Sequence, residues 1–179
     1  MSIIKSTAPD GENISAGDGL DELEELFQNG MLRKINPSPL KSALSIKEAK
    51  LRLEEAKLNL KSGIFRSSRI SCYMAFYHAA RSILLRDGVQ EENPHYLAPY
   101  LMKYSREGLL EEEWPELFGW MLNLHHQDLY HFQAIPSPED AELSLSLGVD
   151  FVGRIKILLE ETKSGKRAFI KQNAAERSY

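Results

Sequence analysis

The stretch FRSSRISCYMAFYHAARSILLRDG, residues 65–88, constrains the fold more than any other. Its centre is apolar around most of a helix's circumference. A helix of that kind has to be wrapped by other elements, because no single packed face hides it. Asp87-Gly88 supplies its stop signal. So does the rest of the chain offer helices to wrap it?

It does. SIKEAKLRLEEAKLNLKSG places Ala49, Leu53, Ala56 and Leu60 on one stripe, with Ser45 as N-cap, Glu48 three positions on and Gly63 as the stop. A shorter helix is predicted near HYLAPYLMKYSREG. Another is predicted over EEEWPELFGWMLNLHHQDLYHF, acidic at its start and with Pro115 tolerated in the first turn. IPSPED breaks the chain and caps a last helix, which sets Ala141, Leu145, Phe151, Ile155 and Leu158 or Leu159 near one face. Ahead of them, LDELEELFQNG reads as a short amphipathic helix with Leu20, Leu23, Leu26 and Phe27 on one side and acids on the other. It is too short to stand alone. Its acids are expected to face Lys and Arg of the helix beginning near Ser45. The prolines of INPSPLKS make a linker. No strand pattern is seen. The prediction is all-α: an antiparallel bundle of four to five helices with a flexible N-terminal arm. Residues 1–40 form an acidic, largely disordered arm, 41–163 the bundle and 164–179 a basic, mobile tail.

Charge follows this layout. Residues 1–30 carry one Lys and seven acids, residues 31–71 ten Lys or Arg and three acids, and residues 163–179 five basic residues and one acid. The net charge of -4 therefore leaves room for an anionic partner, which responds to the local field. The single cysteine, Cys72, excludes a disulfide within the chain and reads as a small buried hydrophobe. The start MSIIKSTAPDG lacks the features of a signal peptide, and no apolar run reaches membrane-spanning length, so a cytoplasmic protein without membrane contact is expected.

Chemistry concentrates in LNLHHQDLYHF, residues 122–132, which holds His125, His126 and His131. His125 and Asp128 have a spacing that puts two ligands on one helix face, but His125 and His131 lie about 120° apart on an ideal helix. There is no HExxH, so neither a metal nor a cofactor is expected. There is no GxSxG or phosphate-binding glycine loop. His78, in the apolar helix, reads as a core histidine bonded to a neighbour.

Four segments in order, EAKLRLEEAKLNLKSGIF, SCYMAFYHAARSILL, LHHQDLYHF and SPEDAELSLSLGVDFVGRIKILLE, give the chain a resemblance to the HEPN superfamily, in particular its small stand-alone prokaryotic branch. The second is similar to that family's Tyr-Tyr-Ala-Met-Phe-His-Ala-Ala-Arg segment through Tyr73, Ala75, Tyr77, His78, Ala79, Ala80 and Arg81. The last is similar through Ala141, Phe151 and Val152. The resemblance covers roughly residues 45–162. It implies an antiparallel bundle, a homodimer, and in many members a metal-independent ribonuclease with an Arg followed after four to six residues by His. It also implies a small nucleotidyltransferase as partner in a toxin–antitoxin pair.

In the register set by Tyr130, the Arg position is His125, His126 fills the polar position after it and His131 follows, so the motif reads His-x5-His. A histidine is only partly charged at neutral pH, where Arg is a permanent cation with a planar fork for phosphate. Two readings follow. In one, RNA is cut by acid–base chemistry with His131 as base or acid, His125 as its partner and phosphate contact, and His126 and Tyr130 as positioning donors. In the other, the chain is a non-catalytic module that binds a nucleotide or a nucleotidyltransferase. The helix over residues 65–87 is also apolar on more faces than a small bundle is expected to cover, which makes it the expected surface between two copies.

Overall fold

A computed structural model describes the backbone of residues 18–131 and 135–176, and the side chains of residues 22–131 and 135–162. Residues 1–17 of the arm expected over residues 1–40 lie outside it. Six α-helices are described: α1 (Asp18–Gln28), α2 (Pro39–Lys61), α3 (Phe65–Asp87), α4 (Leu97–Arg106), α5 (Glu113–Tyr130) and α6 (Pro138–Glu176). Two strands, β1 (Leu32–Lys34) and β2 (Val89–Glu91), and a 3-10 turn at Pro94–Tyr96 join them. Among the described residues no helix is long and apolar enough to cross a membrane.

The central helix is α3. Ala75, Phe76, Ala79, Ala80, Ile83 and Leu84 are fully buried. Its faces are taken by α2, α6, α5 and α4 of the same chain. The expectation that α3 has apolar surface to spare for a second copy is therefore overturned, because the bundle covers it internally. Cys72 is buried there as well, and burial pushes its thiol up to about 12.

The antiparallel α2–α3 pair is close because the facing residues are small. Ala49 and Ala56 of α2 meet a side of α3 that carries Ser68, Cys72, Ala75 and Ala79. Ser45 Oγ donates to the carbonyl of His78 (2.8 Å), and Ser68 Oγ donates to the carbonyl of Ala56 (2.9 Å). Each hydroxyl thus satisfies its own polar atom across the seam.

Ser45 is therefore not the N-cap. The helix starts earlier, at Pro39, with Ser38 as N-cap accepting from the Lys41 N–H at 3.2 Å. Pro39 does not forbid the helix because it occupies the first turn, where its missing N–H has no helical partner to lose.

α6 closes the other side of α3. Phe151 stacks on Phe76 with ring centroids 4.4 Å apart and lies 6.3 Å from Phe118 of α5. Gly148 lets α6 pass close to α2, since a Cβ there would sit 3.0 Å from Leu53. The start of α6 is a reciprocal cap, in which Ser137 N–H donates to the Asp140 carboxylate (2.9 Å) and Asp140 N–H donates to Ser137 Oγ (3.1 Å). The helical backbone runs on through the expected basic tail to Glu176.

Two further expectations change. The chain does contain strands, with Leu32, Arg33 and Lys34 pairing antiparallel with Glu91, Gln90 and Val89. At three residues each they are too short to show alternation. And α1 docks through Leu23, Leu26 and Phe27, but beside β1 and α4. Its Glu22 faces Arg106 of α4 at 3.8 Å, not the cations of α2, and Lys34 lies over the Phe27 ring.

Gly88 ends α3 in the left-handed region at φ 77°, and a Cβ there would lie 2.6 Å from the Ile35 carbonyl oxygen and 2.8 Å from the Pro37 ring. Gly30 has a similar φ of 73° with nothing within 4 Å. In urea titrations Gly88→Ala should therefore cost more stability than Gly30→Ala, about 2–3 kcal/mol against about 1 kcal/mol.

Candidate functional site

The site lies where the second half of α5 crosses the first half of α3. The two run antiparallel, as two contacts about one helical turn apart show. In the first, the His125 ring lies flat on Tyr73, with centroids 4.0 Å apart and planes 15° apart. In the second, Arg69 Nε meets Asp128 Oδ2 at 3.0 Å. Both members of that ion pair are buried.

His125 is half-buried, and its Nδ1 is buried without a hydrogen-bond partner among the described residues. Burial first, and the neighbouring His126 second, hold its pKa below the ordinary histidine value. Asp128 moves the other way. Burial raises its pKa and outweighs the attraction of Arg69 and Arg66.

His126 and Tyr130 are exposed on the next face of α5, with rings 6.0 Å apart. The ring of His95 comes within 5.4 Å of His126. His95 is set there by the 3-10 turn, where Pro94 opens the turn and Asn93 Oδ1 accepts from the His95 N–H at 3.0 Å. His131 is the residue at which α5 stops. It has non-helical backbone (φ -108°, ψ 81°), and its N–H donates to the Gln127 carbonyl at 2.8 Å. Its side chain is exposed and has no described ring contact with His125 or His126.

Of the four residues expected to form the site, the structure brings His125, His126 and Tyr130 into one neighbourhood and sets His131 at its edge. It adds His95, which nothing in the sequence could have found: it stands 31 residues before His126, in a turn without chemical signature. It also adds Arg69 and Tyr73. Their spacing of four residues on one helix was the only sign that they share a face. His78, expected as a core histidine, is half-buried, and burial lowers its pKa. Its backbone carbonyl, rather than its ring, is what Ser45 engages. Among the described residues no group of three or more His, Cys, Asp or Glu is arranged to hold a metal ion.

The buried ion pair gives one prediction. Asp128→Ala leaves Arg69 buried and uncompensated and should cost about 3–5 kcal/mol in urea melts, whereas Arg69→Met with Asp128→Leu should recover most of that loss. A second concerns pH. His125 and His78 are protonated more readily in the unfolded chain than in the fold. Their contribution to stability is complete above the ordinary histidine value of about 6.5 and declines as pH falls below it. The melting temperature should therefore drop between about pH 7.5 and pH 5.5. His125→Phe, which keeps a ring on Tyr73 but carries no proton, should shrink that drop and leave the part due to His78.

Comparison with curated proteins gives no match. Comparison with protein families does: the HEPN domain family matches residues 42–158, from the second turn of α2 to the middle of α6. That span takes in the α2–α3 pair, the α3–α5 crossing and the aromatic contacts of α6, and it covers well over half of the chain. The bundle around α3, with its histidine-bearing α5, belongs to the HEPN domain family.

Proposed function

We propose that this HEPN module is directed at RNA and cuts it without a metal, as the ribonuclease of a toxin–antitoxin pair. The observation that carries the reading is the approach of two exposed imidazoles from different elements, His95 and His126, to 5.4 Å between ring centroids, with His125 and Tyr130 beside them. A phosphodiester lying across such a pair meets a base on one side and an acid on the other. One imidazole takes the proton of the 2′-hydroxyl, whose oxygen attacks the adjacent phosphorus. The other gives its proton to the departing 5′-oxygen. The products are a 2′,3′-cyclic phosphate and a 5′-hydroxyl.

On this reading the acid–base pair is His126 with His95, not His125 with His131. His125 serves as a ring fixed on Tyr73 that shapes the floor, and His131 lies at the rim. The cation lost at position 125 is not replaced by Arg69, which Asp128 neutralises. Stabilisation of the charged transition state is correspondingly weak, and turnover should be slow.

The neutralisation of Arg69 by Asp128 favours the second reading, a non-catalytic HEPN module that binds a nucleotide or a small nucleotidyltransferase. Cleavage of RNA in EDTA separates the two. The proposed nuclease should keep its activity, show a bell-shaped pH profile, lose about 100-fold or more on His126→Ala or His95→Ala, and gain on His125→Arg. Absence of cleavage by the parent protein, or alanine variants that cut RNA as fast as the parent, would leave the binding module standing.

A further inference from the structure

The outer face of α5 carries more than imidazoles. Trp120 is 42% exposed and Tyr130 is 72% exposed. Asn123 and Gln127 stand between them and are exposed as well. At about 100° per residue these four fall within about 80° of one another, and His126 follows about 40° past Tyr130. They form one strip along the helix that leads to the imidazole pair. Large aromatics are mostly buried, as Phe118 is, two residues before Trp120. Trp120 is not, and neither its indole N–H nor the amides of Asn123 and Gln127 have a hydrogen-bond partner among the described residues.

We propose that this strip binds the unpaired bases of single-stranded RNA and leads the strand to His95 and His126. The fate of the bound strand rests on the ribonuclease reading. Its binding rests on the strip alone. Tyr130 takes the base next to the scissile phosphate, Trp120 takes a base further along, and Asn123 and Gln127 meet base edges in between. An aromatic face stacks on any base. An amide offers a donor and an acceptor side by side and so tells one base edge from another. The ten residues from Trp120 to Tyr130 span about 15 Å, room for a short run of nucleotides.

A duplex cannot use such a strip. Its bases stack on one another, and the deep, narrow major groove of A-form RNA keeps their edges from side chains. Charge points the same way. α5 holds no Lys or Arg, so stacking, and not neutralisation of phosphates, supplies the binding. Glu113 and Glu116 continue the same face beyond Trp120 and repel phosphates there, which ends the track at the indole.

The probe is a single-stranded oligonucleotide with every 2′-hydroxyl methylated. It has no attacking oxygen and cannot be cut. In the full chain carrying Trp114→Phe, Trp120 is the remaining tryptophan. The probe should quench its fluorescence, and the matching duplex should not. The dissociation constant should change little between about 50 and about 200 mM salt. Trp120→Ala should weaken probe binding about tenfold or more with an unchanged circular dichroism spectrum. Trp120→Phe should restore most of the affinity. Trp120→Leu should not, since leucine is apolar but has no face for a base. On cleavable RNA, Trp120→Ala should act on KM far more than on kcat, because the stacked base is remote from the reacting atoms. Asn123→Ala and Gln127→Ala should change the order in which oligonucleotides of different sequence are preferred.

Absence of quenching would overturn the proposal, as would equal affinity for single strand and duplex, or a Trp120→Ala protein that binds the probe as tightly as the parent. Trp120→Leu matching Trp120→Phe would overturn the stacking role. A parent protein that binds the probe through Trp120 but cuts no RNA would keep the strip and remove the nuclease. Cleavage with an unchanged KM in Trp120→Ala would remove the strip and keep the nuclease.

Discussion

The close antiparallel seam between α2 and α3 is the constraint on which the rest of the molecule depends. It works because both partners present small side chains there and because the polar ones among them are satisfied. Ser45 and Ser68 each donate to a backbone carbonyl of the facing helix, so two hydroxyls enter a dry contact without the penalty of an unmade hydrogen bond. Once α2 lies flush on α3, larger residues on the other sides of α3 become the socket for everything else. Phe76 receives Phe151 of α6, and Tyr73 receives His125 of α5.

This arrangement explains how one helix serves both core and site. Tyr73 lies three residues before Phe76, and the two meet different helices. The α3–α5 crossing places imidazoles at the surface while their supports, Tyr73 and the Arg69–Asp128 pair, stay buried. A ring fixed on a buried neighbour holds its direction better than one on a free helix end. His131, just past the last turn of α5, has no such support.

The basic character of residues 31–71 takes on a different meaning in three dimensions. Arg33 pairs with Glu92, Arg52 with Glu48 and Glu55, Lys57 with Glu54, and Arg69 with Asp128. Further along α3, Arg81 meets the buried Glu91, and Arg86 meets Asp87. Of the segment's cations, Arg33 and Arg69 tie different elements together, and Arg52 and Lys57 are paired within α2. Three acids within the segment and two from outside it, Glu92 and Asp128, are the partners, and a count along the chain does not register the latter.

The sequence by itself determined the helical class, the place of most helices, the burial of α3 and the family resemblance, because each is written in local terms: the 3.6-residue period, caps and stops, and the order of characteristic segments. It also drew attention to the histidine-bearing C-terminal end of α5. Yet it misplaced the start of α2, since Ser38-Pro39 and Ser45 are both plausible N-caps until packing shows which serine faces His78. It missed β1 and β2, whose pairing is a contact between segments more than fifty residues apart in sequence. It paired α1 with α2, although the apolar side of α1 finds its place beside α4. Only the tertiary structure decided that His95 stands beside His126 while His131 stands apart, and that Trp120 is left on the outer face of α5 while α3 has no apolar face to spare. Which residues meet across the bundle, and which faces remain open, depends on how the helices pack, and the period of a single helix does not contain that information.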